Sequence, residues 1–152
     1  MKSKGFTLIE MLIVIAIIGL LAGIIFFGLG ARKGVARDAR RITDLKTTQQ
    51  ALELYYQVNQ EYLDVSTWAA LETALTGAGI GVRSLSLDPL NDTDFYYRYD
   101  VDSGGTPSLQ VYVLGARLED TSHRALDTDI DDSNTPFATG FSCDDPIYCT
   151  SF

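Results

Sequence analysis

The sequence predicts an α+β protein: a long N-terminal helix, apolar all round in its first half, whose second half packs on a small antiparallel sheet. Three observations predict it. Met11 to Leu29 are nineteen successive residues without a charge, close to the roughly 20 that cross a bilayer core as a helix. Ile42, Leu45, Leu52 and Tyr56, with Gln49 between them, alternate at helical spacing, the mark of an amphipathic stripe. Phe95–Val101 and Leu109–Leu118 are aromatic and β-branched runs separated by Ser103-Gly104-Gly105, a hairpin signal.

Each element follows in order. No proline interrupts residues 6–60, so one helix is expected there, roughly 80 Å long at 1.5 Å per residue. Gly19/Gly23 and Gly30/Gly34 are small-xxx-small pairs that permit close helix approach. They fit either tight packing among neighbouring helices or a segment, around residues 19–30, that unwinds on assembly. Ser66 before Thr67-Trp68-Ala69-Ala70-Leu71-Glu72-Thr73-Ala74-Leu75, with Gly77 after it, predicts a short capped helix; Trp68 reads as its core anchor. Asp88-Pro89-Leu90-Asn91-Asp92-Thr93-Asp94 breaks the chain. Tyr97 and Tyr99 then alternate with Arg98 and Asp100, as in a strand with one covered face.

Charge is segregated. Residues 1–41 carry seven Lys/Arg and two acids, a net of +5, whereas residues 42–152 carry five Lys/Arg and eighteen acids, a net of −13. An acidic outer domain argues against nucleic acid as the main ligand, because phosphate binding needs a basic surface. Cys143 and Cys149 are the only cysteines, and such a pair in an exported domain reads as a disulfide. Nothing supports catalysis. His123 is the only histidine, and no phosphate loop, dinucleotide fingerprint or CxxC occurs.

The N-terminus departs from a conventional secretory signal. A basic start is present, but the apolar stretch is too long and Glu10 stands at its head. A carboxylate entering hydrocarbon is costly, and ionisable residues there are functional candidates. Gly5-Phe6-Thr7-Leu8-Ile9-Glu10, followed by Met11-Leu12-Ile13-Val14-Ile15-Ala16-Ile17-Ile18-Gly19-Leu20-Leu21-Ala22, closely resembles the signal of type IV pilins and pseudopilins. The resemblance implies cleavage between Gly5 and Phe6 by a prepilin peptidase, N-methylation of Phe6, and an apolar helix kept on the mature chain. It implies that Glu10 meets the Phe6 amine of a neighbouring subunit during assembly. The lollipop fold of that superfamily agrees with the periodicity. It divides the chain into a leader (1–5), a transmembrane and filament-core helix (6–30), its amphipathic continuation (31–62) and a globular domain (63–152).

Arg32, Lys33, Arg37, Arg40 and Arg41 follow the apolar run, and a loop-charge count would put the C-terminus inside. The signal motif and the cysteine pair place it outside. The basic stripe is then expected near lipid phosphates or acidic neighbouring subunits, or as a solvated face of the helix. The middle region resembles major pseudopilins of type II secretion systems, where Asp-Pro precedes Tyr-x-Tyr strands. Leu90 and Asn91 depart from the Asp-Pro-Trp-Gly pattern of that group.

The tail carries Asp127, Asp129, Asp131 and Asp132. Calcium needs several hard oxygen ligands, which clustered aspartates can supply, although no EF-hand pattern is present. The resemblance implies calcium here, since major pseudopilins hold it in a C-terminal loop; a plain solvated acidic loop is the alternative. The expected protein is a structural subunit of a type IV pilus or type II secretion pseudopilus. The alternatives are a minor pilin or competence-type pseudopilin, or an anchored binding protein that never polymerises. The resemblance implies a helical homo-oligomer served by the peptidase, an inner-membrane assembly platform and minor pilins. The precursor would contact membrane lipid and span the cytoplasmic membrane once, and the filament would be periplasmic or extracellular.

Overall fold

The structure is a computed structural model that describes residues 5–137 and 139–151, without the side chains of 24–32. Arg32, Gly28 and Gly30 of the sequence reading, and leader residues 1–4, lie outside that description. The chain divides into two units, Met1–Gly34 and Val35–Phe152.

Helix α1 spans Leu8–Asn59. In the first unit Thr7 caps it. The Glu10 backbone N–H donates to Thr7 Oγ1 at 3.3 Å, while the Thr7 backbone N–H donates back to Glu10 Oε2 at 2.7 Å. This reciprocal capping box satisfies donors that the first helical turn leaves without partners. The apolar residues around and beyond it are uncovered, with Phe6 79% and Ile15 66% exposed. Gly19 and Gly23 have open space where a side chain would stand. Among the described residues no helix is long and apolar enough to cross a membrane. The nineteen-residue apolar run ends within 24–32, whose side chains are not among them.

The second unit is α+β, as predicted. Helix α2 spans Trp68–Gly77; strands β1 (Tyr97–Val101), β2 (Tyr112–Arg117) and β3 (Ile147–Ser151) form one antiparallel sheet in the order β1-β2-β3. The cap of α2 is Thr67 rather than the expected Ser66. Thr67 is extended, and its hydroxyl accepts from the Ala70 N–H at 3.2 Å. Gly79, at φ +70°, takes the left-handed position just beyond that helix.

The inner sheet face carries Tyr97, Tyr99, Tyr112 and Leu114, which form one core with Leu45 and Leu52 of α1 and Leu71 and Leu75 of α2. Trp68 joins its edge, 5.2 Å from the Tyr97 ring, and its Nε1 donates to the Ser86 carbonyl at 3.0 Å. The outer face holds a second, smaller core of Val113, Cys143 and Cys149, with Ile130, Phe137 and Phe141 against it. Gly115 makes this covering possible, since a Cβ there would stand 2.7 Å from the Phe141 ring.

Strand β3 is an element the sequence reading leaves out. It pairs Cys149 with Gly115 and Ala116 with Tyr148. Its five residues follow a proline and adjoin the cysteine loop, too short a run for periodicity to single out.

Candidate functional site

Two surfaces carry the residues singled out in the sequence, one at each end of the chain. At the N-terminus Gly5 and Phe6 are exposed ahead of the first helical turn. Glu10 accepts from the Thr7 N–H and hydroxyl, both at 2.7 Å and both through Oε2. The capping box therefore holds the carboxylate at the Thr7 amide, the peptide group that follows Phe6. One oxygen is occupied by the cap, and the side chain faces outward.

At the other end, Cys143 and Cys149 form a disulfide that ties the loop after residue 118 to β3, with Cα atoms 5.7 Å apart. Carboxylate oxygens of Asp129, Asp131 and Asp145 converge, all within 4.8 Å of one another. Asp129 accepts from the Cys149 N–H at 2.8 Å through Oδ2, while its Oδ1 is buried with no partner among the described residues. Burial pushes the Asp129 carboxyl up to about 6; Asp131 and Asp145 push the same way, against the Cys149 hydrogen bond. An orphaned buried oxygen among three carboxylates suits a hard cation, so this cluster can hold an ion.

The structure thus joins two of the expected four aspartates and adds one from elsewhere. Asp127 closes the 3-10 turn Arg124–Asp127. Asp132 turns toward the cysteine loop, accepting from Ser142 Oγ at 2.9 Å and from the Cys143 N–H. Both stand outside the converging group. Asp145 escaped the sequence reading because it is distant in the chain; β3 and the disulfide carry it back to Asp129.

A third arrangement corrects the reading of the basic stripe. Arg37 pairs with Glu119, and Arg41 is fully buried. Arg41 reaches Asp38 Oδ1 at 2.7 Å, Asp88 Oδ2 at 2.7 Å and Glu119 Oε1 at 2.8 Å, and lies 4.6 Å over the Phe95 ring. Asp38 in turn accepts the N–H groups of Glu119 and Asp120, at 2.9 and 3.0 Å. Of the described stripe, Lys33 and Arg40 alone remain exposed, Arg40 beside Asp44 at 3.5 Å. Asp88, read as part of a chain break, is a counter-charge inside the fold.

Residues 1–26 match the family described as the prokaryotic N-terminal methylation motif. The chain is 30% identical over 125 residues to type II secretion system core protein G of Vibrio cholerae serotype O1, covering 76% of this chain and 82% of the relative. The chain belongs to the type II secretion core protein G family. The same protein of Pectobacterium carotovorum subsp. carotovorum is 33% identical over 125 residues, 75% of this chain and 76% of the relative. That of Escherichia coli (strain K12) is 36% identical over 61 residues, 40% of this chain and 42% of the relative. No solved structure matches. As a core protein G relative, the chain is a structural pseudopilin with a prepilin-type methylation motif, and not an enzyme.

Proposed function

We propose that this chain is the core subunit of a type II secretion pseudopilus, polymerised through its N-terminal helix. The observation that carries the reading is the likeness to core protein G over most of both chains, joined to the methylation motif at residues 1–26. The precursor is held in the cytoplasmic membrane by the apolar helix, N-terminus inside, and a prepilin peptidase cuts between Gly5 and Phe6. The leader is residues 1–5, the membrane and filament-core helix 6–30, its continuation 31–62 and the outer domain 63–152. Phe6 is then N-methylated.

The new Phe6 amine and Glu10 are each costly alone in an apolar setting and compensate only when well placed. Glu10 of one subunit meets the Phe6 amine of the next and sets the stagger between them. The uncovered apolar residues before Gly23 exchange lipid for identical helices, where Gly19 and Gly23 permit close approach or local unwinding. The assembly platform and minor pseudopilins of the inner membrane are the partners, and the filament is periplasmic. Calcium sits at Asp129, Asp131 and Asp145, with backbone carbonyls or water completing the shell that three carboxylates leave open.

Complementation tests the reading. In a strain lacking its own core protein G, the wild-type chain restores secretion and Glu10→Ala does not. Restoration by Glu10→Ala with normal filaments would overturn the role given to that carboxylate, and failure of the wild-type chain would overturn the reading as a whole.

A further inference from the structure

The disulfide and the converging aspartates are one construction. Cys149 is tied to the acidic segment in both directions: its N–H donates to Asp129 Oδ2 at 2.8 Å, and its carbonyl accepts from the Ile130 N–H at 3.4 Å. The Cys143 N–H donates to Asp132 Oδ1. The backbone amides of the two cysteines therefore grip the aspartates on either side of Asp131. Asp145, the third member of the group, stands inside the loop that the disulfide closes. Asp129 keeps its buried Oδ1 without a partner among the described residues. Both cysteines are buried in the outer core.

Three carboxylates within 4.8 Å of one another repel. A loose loop would spread them, and a cation would have to gather and order them again. A cross-link that holds them together beforehand spares the ion that cost. We propose that Cys143 and Cys149 are positioning residues for a calcium ion at Asp129, Asp131 and Asp145, so that the site binds tightly only once the disulfide has formed. The inference rests on the calcium reading given above. Such coupling is reciprocal, so bound calcium opposes reduction of the bond to the same extent. In that reduction a dithiol gives up two electrons and two protons: the Cys143–Cys149 bond breaks to two thiols, and the dithiol closes its own disulfide. The shielded sulfurs are reached only when the loop opens, and an ion joining Asp145 to Asp129 keeps it shut.

The test titrates calcium chloride into the full chain in detergent, by calorimetry, with the disulfide formed and after reduction by dithiothreitol. The oxidised chain is expected to bind at least tenfold more tightly, at a temperature where the reduced chain keeps its near-ultraviolet spectrum. The equilibrium constant for reduction by dithiothreitol should fall at least tenfold between a calcium chelator and saturating calcium. Asp145→Asn should abolish that difference. Asp132→Ala, which keeps the disulfide but removes the acceptor of the Cys143 N–H, should weaken calcium at least threefold, while Asp127→Ala, with the same loss of charge, does not. This pair of variants serves as the test should the reduced chain unfold. Equal affinity in the two redox states, or in Asp132→Ala and the parent, would overturn the coupling and leave the calcium reading standing. No binding to the oxidised chain would overturn the calcium reading, and the coupling with it.

Discussion

Arg41 holds Asp88 through two parallel hydrogen bonds, Nε to Oδ2 at 2.7 Å and Nη2 to Oδ1 at 3.0 Å, with both side chains fully shielded from solvent. The pair joins α1 to the turn that precedes β1, and Asp38 and Glu119 complete its charge balance. Removing the cation strands buried carboxylates, which typically costs about 3–5 kcal/mol. Arg41→Ala is therefore expected to lower stability by about that amount in urea unfolding of the full chain. Arg41→Lys recovers less than half of the loss, because an ammonium cannot reproduce the two-pronged grip. An Arg41→Ala protein as stable as the parent would show that the network is dispensable.

The same network sets the acid limb of stability. The hydrogen bond from Arg37, aided by Arg41 and opposed by burial, holds the Glu119 carboxyl down to about 2, against an ordinary 4.5. Burial would raise Asp88, but Arg41 and the Leu90 N–H outweigh it and its carboxyl is lowered too. A depressed folded-state value gives stability that is complete above the unfolded value and lost as pH falls toward the folded one. Melting temperature should therefore fall between about pH 4.5 and pH 2, and Glu119→Gln should flatten that decline while changing little in its slope above pH 5.

The disulfide closes a short loop whose cysteines form the outer core. Ring closure of this size is worth roughly 2–3 kcal/mol on the entropy model. A Cys143→Ser/Cys149→Ser double variant is expected to lose about that much stability. Limited proteolysis should cut residues 130–146 faster and leave α1 and α2 as resistant as before. Equal cleavage with and without the bond would count against the loop being pinned by it.

Ion binding separates the converging aspartates from their neighbours. Millimolar calcium should raise the melting temperature, since a ligand that binds only the folded state stabilises it by mass action. Asp129→Asn or Asp145→Asn removes most of that rise, whereas Asp127→Asn leaves it intact. A rise unaffected by either of the first two variants would place the ion elsewhere.

The long helix, the hairpin and the fold class were legible because periodicity and proline placement report them directly. The buried seam of α1 was only half legible. Its fully buried members Asp38, Arg41, Leu45, Thr48 and Leu52 keep helical spacing, yet a search for apolar residues sees only Leu45 and Leu52. Charged residues enter a core when partners from distant segments satisfy them, and Asp88 and Glu119 announce nothing of that in the sequence. The ion site was legible by composition at Asp129 and Asp131 but not at Asp145, which depends on the pairing of β3. The capping box was present in plain view, since Thr7-Leu8-Ile9-Glu10 is the spacing that such caps use.

On the reading proposed above, the mature chain begins at Phe6 and enters a filament through its apolar helix. Mass spectrometry of the N-terminal peptide from sheared pseudopili tests it most directly. The expected result is a chain starting at N-methylated Phe6, present as the bulk of the filament. A chain that keeps Met1 and stays solitary while the secretion machinery is active would contradict it.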